Sequence, residues 1–108
     1  MRLYTLKSIS IAGAWLITVN ALAADNAALA ERKFCFSCHH ATEAGLGPSF
    51  QSIAARYAAN GMLMTPVLAY KIQHGGGGNW GNVPMVPSQN VTPAEADALA
   101  RWVLQPKP

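Results

Sequence analysis

The sequence predicts an all-α fold, a compact domain of about four short helices. Apolar residues recur at helical spacing in segments 49–59 and 99–103. Thr-Pro pairs at 65–66 and 92–93 are typical helix starts, because threonine caps the first turn and proline suits the first helical position. No segment shows a convincing apolar–polar alternation of the kind that a half-buried strand requires.

The first two predicted helices flank the only two cysteines of the chain. Ala27–Phe34 is predicted as a short helix, capped by Asp25 or Asn26, that leads directly into the cysteine motif. Ser49–Ala59 is predicted as the second helix, and Asn60–Gly61 end it because both residues tolerate the left-handed conformation of a helix terminus.

The last two predicted helices are separated by an irregular segment. The third is predicted to follow the N-cap Thr65, to begin at Pro66 and to run to about His74, and the glycines and prolines of 75–90 indicate a loop. The final helix is predicted to run from 93 to about 104. Thr92, just before this helix, and Glu95, in its first turn, have the spacing of a capping box, in which each side chain accepts a hydrogen bond from the other residue's backbone N–H.

The N-terminus carries the pattern of an export signal. Two basic residues precede an apolar run at 9–19, and an A-x-A cleavage site ends at Ala23. The sequence therefore predicts a cleavable signal peptide over 1–23 and a single mature domain over 24–108. The apolar run is short against the roughly 20 residues of a membrane-spanning helix, and an uncleaved anchor is the alternative interpretation.

Charge excludes one class of partner. The chain has 8 Lys+Arg and 5 Asp+Glu, a net charge of +3. Two of the basic residues belong to the leader and all of the acids lie after it, so the mature domain is close to neutral. A basic patch for nucleic acid is therefore not expected.

Residues 35–39 read C-F-S-C-H, which is the attachment pattern of a c-type haem. Two thiols three positions apart can each form a thioether with one vinyl group of a porphyrin. His39 then lies beside the macrocycle, and haem iron requires such an axial ligand from the protein. The motif predicts covalent haem attachment through Cys35 and Cys38, with His39 on the iron.

Two other sites use the same residue types. A thiol–disulfide exchange motif is also C-x-x-C, but it would be expected beside strands. Zinc would require a second ligand pair at regular spacing, and beyond His39 and His40 only His74 is available downstream. The sequence favours haem over both.

The second axial ligand has several candidates by residue type: His40, Met62, Met64, His74 and Met85. His40 is excluded because it directly follows His39 and cannot reach the opposite haem face. Met85 is favoured because it lies in an irregular, proline-containing loop at 83–87 that can cover the far face of the ring. A His/Met pair raises the reduction potential, as expected for an electron carrier.

Several motifs together resemble the class I cytochromes c, specifically the short bacterial group of the cytochrome c-551 type. The resemblance covers nearly all of the mature chain, at residues 35–39, 47–48, 71–72, 78–81, 83–85 and 95–104. It implies a fold of short helices wrapped around one covalently bound haem c.

The resemblance also implies roles for individual residues. The carbonyl of Pro48 would accept a hydrogen bond from the ring of His39. Trp80 would donate to a haem propionate, and Lys71 stands where the family often has an arginine facing a propionate. Met85 would be the sulfur ligand.

The family's role implies a periplasmic, single-haem, low-spin electron carrier rather than an enzyme, because both axial positions are filled. It would be a monomer that docks transiently on larger redox enzymes, such as a reductase, an oxidase or a quinol-oxidising complex. Two alternatives remain open: a permanent haem subunit of one enzyme complex, and a haem sensor or enzyme with an open axial position.

The chain departs from the family pattern in three places. Phe34 stands where glycine is common, and we hypothesise that its ring packs against Trp102 in compensation for the small Ala30. The loop after Met85 is one residue longer, so its sulfur could be supported by any of Ser88, Gln89 and Asn90. The glycines of 75–78 indicate either close approach of backbone to the haem edge or simple flexibility.

Overall fold

The structure is a computed structural model that describes residues 3–5 and 26–106. The predicted leader lies outside the described residues except for 3–5, so its cleavage stays a prediction. Across the described ranges no helix is long and apolar enough to cross a membrane.

Four α-helices form the described part of the chain, and the all-α prediction is confirmed. They are α1 (26–32), α2 (Phe50–Arg56), α3 (Thr65–His74) and α4 (Pro93–Leu104). Short 3₁₀ turns at Cys35–Ser37 and Gly61–Met64 precede the haem motif's histidine and α3. Within 3–5 and 26–106 the only β pairing is an isolated bridge between Gly76 and Met85.

The capping box of α4 is present as predicted. The hydroxyl of Thr92 accepts from the backbone N–H of Glu95 at 3.2 Å, and the Glu95 carboxylate accepts from Thr92 N–H at 3.0 Å. That backbone hydrogen bond lowers the pKa of Glu95, and the ammonium of Lys33 at 3.3 Å adds to the effect. Lys33 also donates to the carbonyl of Asn90 at 2.7 Å, so the end of α1 is tied to the start of α4.

The start of α3 differs from the prediction that Thr65 is its N-cap. The 3₁₀ turn at Gly61–Met64 runs directly into the helix, so Thr65 is itself helical, with φ −52° and ψ −52°. Its side chain is buried, and its hydroxyl contacts the sulfur of Met62 at 3.8 Å instead of capping the first turn. Helix α2 ends at Arg56, three residues before the predicted Ala59, because residues 57–60 form a turn.

The core lies where α4 packs against α2 and α3. Phe50 and Trp102 meet edge to face at 4.9 Å between ring centroids, a favoured aromatic geometry. The buried core residues are Ala30, Phe50, Ile53, Val91, Ala96, Leu99, Trp102 and Val103. This core holds one wall of the site, because Phe50 and Trp102 also contact the haem motif through Phe36.

The hypothesis that Phe34 packs against Trp102 is wrong. Ala30 is fully buried in the core, whereas Phe34 is 71% exposed. Its backbone has φ +63° and ψ 22°, a left-handed conformation, and it is the only described residue other than glycine with positive φ. A glycine would suit this position because it adopts a left-handed backbone conformation without strain.

We expect Phe34→Gly to stabilise the holoprotein by about 0.5–1 kcal/mol. Relief of the left-handed strain is worth about 1–2 kcal/mol, and the greater chain entropy of unfolded glycine offsets part of it. Denaturant unfolding of the two proteins measures the difference. Phe34→Ala is the control, since it removes the exposed ring but keeps the strain, and an equal gain in both variants would contradict the backbone explanation.

Candidate haem site

Two neighbours hold the imidazole of His39. Its Nδ1 lies 2.7 Å from the carbonyl oxygen of Pro48, and its ring stacks on Phe50 at 5.4 Å between centroids. Because a carbonyl oxygen only accepts, Nδ1 carries the proton and donates. The lone pair of Nε2 is then free for a metal, and the hydrogen bond fixes the tautomer and orientation of the ring.

Gly47 leaves room for that ring. A Cβ at residue 47 would lie 2.6 Å from Cε1 of His39 and 2.9 Å from Nδ1. The backbone at Gly47 is itself held, since its N–H donates to the carbonyl of Cys38 at 2.9 Å. The loop before α2 therefore packs its bare backbone against one side of the imidazole.

Cys35 does not have the environment of a reactive thiol in a redox dithiol. Cys35 is partly buried against the core, and this desolvation raises the pKa of its thiol. Thiol–disulfide exchange requires the opposite shift, toward the thiolate. Zinc is also disfavoured, because residues 3–5 and 26–106 contain no group of three or more His, Cys, Asp or Glu side chains placed to hold a metal.

One cavity of about 810 Å³ brings the predicted cofactor residues together. All seven line it: Cys35, Cys38, His39, Pro48, Lys71, Trp80 and Met85. Core side chains such as Phe50, Ile53 and Leu99 supply apolar walls. The volume lies within the roughly 300–1,000 Å³ typical of small-molecule sites, and an imidazole, a thioether and two thiols are donors suited to a c-type haem. The residues present therefore fit this group.

The loop that carries Met85 is fastened to the end of α3. Met85 and Gly76 exchange two backbone hydrogen bonds of 2.8 and 3.0 Å, and Ser88 N–H donates to the carbonyl of Ile72 at 3.0 Å. Met85 lines the cavity, and so do the three residues considered as support for its sulfur, Ser88, Gln89 and Asn90. The other candidates for the second ligand do not line it: His40, Met62, Met64 and His74.

The glycine-rich segment is explained by close approach to the Met85 loop. A Cβ at Gly75 would lie 2.3 Å from the carbonyl oxygen of Met85, and one at Gly77 would touch Pro84 at 3.3 Å. Gly78, in contrast, has nothing within 4 Å of the corresponding position. Packing on the loop that carries the sulfur accounts for Gly75 and Gly77. Gly76, Gly77 and Gly78 also line the haem cavity, so close approach of this backbone to a haem edge stays a prediction.

The two residues assigned to the propionates have neighbours that the sequence did not predict. The ammonium of Lys71 lies 3.0 Å from the position of a Cβ at Gly76, a place that only glycine leaves open. The guanidinium of Arg56 lies over the ring of Trp80, 4.3 Å from its centroid. Arg56 was missed because no spacing rule links the end of α2 to a loop residue 24 positions later.

Comparison with known proteins agrees with this geometry. Residues 23–107 match the family model described as Cytochrome c. The chain belongs to the cytochrome c family. Cytochrome c-552 of Hydrogenobacter thermophilus is 45% identical over 82 residues, which cover 76% of this chain and 82% of that protein. Cytochrome c-551 of Pseudomonas aeruginosa is 36% identical over 107 residues, which cover 99% of this chain and 100% of that protein.

Solved structures give the same answer for the fold. The crystal structure of wild-type Nitrosomonas europaea cytochrome c552 superposes with a TM-score of 0.68 at 42% identity, covering 72% of this chain and 95% of that chain. The protein is thus a class I cytochrome c of the c-551 type and a small electron carrier. Its cofactor is a haem c bound covalently through its two cysteines.

Proposed function

We propose that this cytochrome is a periplasmic, single-haem carrier with low-spin His/Met ligation that passes one electron between larger redox enzymes. One observation carries the proposal. His39 and Met85 line the same cavity from distant parts of the chain, and each is held by hydrogen bonds that do not depend on a metal.

Each residue of the site has a task in this proposal. Cys35 and Cys38 would hold the porphyrin through thioether bonds, and His39 Nε2 and the sulfur of Met85 would bind its iron. The haem iron supplies the chemistry, a reversible one-electron change. Because Pro48 fixes the imidazole and the bridge to Gly76 fixes the loop, these ligands need to move little between the two oxidation states.

Exposed apolar side chains at the cavity rim support transient docking. Leu46, Val83 and Val86 line the cavity and are 69%, 61% and 76% exposed. We propose that a periplasmic or membrane-bound redox enzyme covers this rim briefly, through an interface of about 1,200 Å² or less, as is usual for electron-transfer encounters. The carrier is a monomer in this proposal, and the near-neutral mature chain provides no basis for nucleic-acid binding.

The alternatives differ in measurable ways. An open-site sensor or enzyme would be high-spin when ferrous and would bind carbon monoxide readily. A permanent subunit of one complex would co-purify with that complex, whereas the carrier would run as a monomer.

Met85→Ala tests the proposal. In the wild-type ferric protein we expect a low-spin spectrum with the weak near-infrared charge-transfer band of methionine on iron. The variant is expected to lose this band completely and to have a lower reduction potential, because the thioether raises it. Visible spectra and a redox titration of both proteins measure these changes.

Met62→Ala is the matched control, since this exposed methionine does not line the cavity. An unchanged band in Met85→Ala, or loss of the band in the control, would overturn the assignment of the sulfur ligand.

A further inference from the structure

Arg56 makes two contacts with one short piece of the loop after α3. Its guanidinium carbon lies 4.3 Å from the centroid of the Trp80 ring, nearer than its 6.0 Å distance to the ring of Tyr57. The same guanidinium donates through Nη1 to the carbonyl oxygen of Asn79 at 2.5 Å. A planar cation that stacks on an aromatic face while it donates in its own plane matches the particular strengths of arginine.

The loop around Trp80 needs such a support. Gly78 and Gly81 flank it with φ +94° and +110°, and neither has a neighbour within 4 Å of a Cβ position. Trp80 itself is 42% exposed, so burial alone does not hold its ring. The two contacts of Arg56 with Asn79 and Trp80, which we call the Arg56 clamp, attach the loop to the end of helix α2. They do so where the loop has little packing of its own.

Trp80 occupies a place where its orientation matters. It lines the haem cavity, and it also lines a second, smaller cavity of about 320 Å³ formed by residues 44–49 and Ser52. Pro48, which accepts the hydrogen bond from His39, lines both cavities as well. The indole therefore lies at the boundary between the haem cavity and the smaller cavity beside Pro48.

We infer that Arg56 is a positioning residue that holds the Trp80 indole at this boundary of the haem cavity. The inference rests on the haem site of the proposed function, but it concerns a side chain that does not touch the ligands. Loss of the clamp frees the indole without displacing His39 or Met85. Lys71 does not take the place of Arg56, since its ammonium lies beside Gly76, next to the end of α3.

The test is solvent exchange of the Trp80 indole N–H, followed by NMR in the ferrous holoprotein. In Arg56→Gln we expect this exchange to accelerate about two- to fivefold, the factor that corresponds to an exposed cation–π contact. The indole of Trp102, which is buried in the core, is the reference in the same sample and should not change. The low-spin spectrum should also be unaltered, so that failure of this inference is distinct from failure of the proposed function.

Two further variants separate positioning from charge. Arg101→Gln removes an equal charge from an exposed arginine that pairs with Asp97 on α4, and it should leave Trp80 unaffected. Arg56→Lys keeps the charge but loses the planar fork, and we expect exchange faster than in the wild type. Wild-type exchange in Arg56→Gln would overturn the inference, and so would acceleration in Arg101→Gln equal to that in Arg56→Gln.

Discussion

Gly75→Ala is expected to destabilise the holoprotein by about 2–6 kcal/mol and to weaken the hold on Met85. Gly75 has φ +68° and ψ −156°, a region open almost only to glycine, and strain there costs about 1–3 kcal/mol. The new methyl group would also lie 2.3 Å from the carbonyl oxygen of Met85, where relief requires backbone to move. Such overpacking costs about 1–3 kcal/mol more.

The measurement combines denaturant unfolding with the charge-transfer band of methionine on ferric iron. Gly78→Ala is the control from the same segment, because it has φ +94° but open space around the Cβ position. We expect the control to show backbone strain alone, with the band intact. Equal effects of the two substitutions on the band would mean that the packing of Gly75 on the Met85 loop does not hold the sulfur.

Gly47→Ala is expected to act on His39, the other proposed iron ligand. A Cβ at this residue would lie 2.6 Å from Cε1 of His39, so the ring must tilt or the loop must shift. Either change lengthens the 2.7 Å hydrogen bond from Nδ1 to Pro48. Overpacking of about 1–3 kcal/mol and loss of a hydrogen bond worth about 1 kcal/mol give an expected destabilisation of about 2–4 kcal/mol.

Denaturant unfolding measures the destabilisation, and the NMR shifts of the His39 ring in the ferrous protein report whether the ring has tilted. Gly61→Ala serves for comparison, because its φ of +52° brings strain with no neighbour within 4 Å of the new methyl. A His39 ring with wild-type shifts in Gly47→Ala would show that the loop yields instead of the imidazole.

The parts of this fold that the sequence predicts well are those with local causes. Helix α4 begins where Thr92 and Glu95 indicate, because the two halves of a capping box lie within one turn. The prediction that Thr65 is the N-cap of α3 was wrong, since the preceding 3₁₀ turn supplies the helix entry without a capping side chain. The prediction for Phe34 was wrong for a related reason. A phenylalanine in the sequence gives no sign that its backbone is left-handed, as it is here.

The residues of the site also differ in whether local sequence could predict them. The cysteine motif is contiguous and could be recognised directly, whereas Met85 could be selected only by the character of its loop. Gly75 and Gly76 make the contacts that hold that loop. Their spacing from Met85 matches no sequence pattern, so these contacts can be seen only in the folded structure. Arg56 over Trp80 is the extreme case, because neither residue type nor spacing distinguishes this arginine from one on a solvated helix end.

Under the proposed ligation by Met85, the contacts of Lys33 have a kinetic consequence for the bond between the methionine sulfur and the iron. The ammonium of Lys33 binds the Asn90 carbonyl and the Glu95 carboxylate. Lys33 thereby connects the residues just before the cysteine motif to the end of the loop that follows Met85. If the sulfur of Met85 left the metal, the loop would stay closed at both ends, by these contacts of Lys33 and by the bridge to Gly76. Met85 would then be held near its site at high effective concentration, which would favour its return over entry of a foreign ligand.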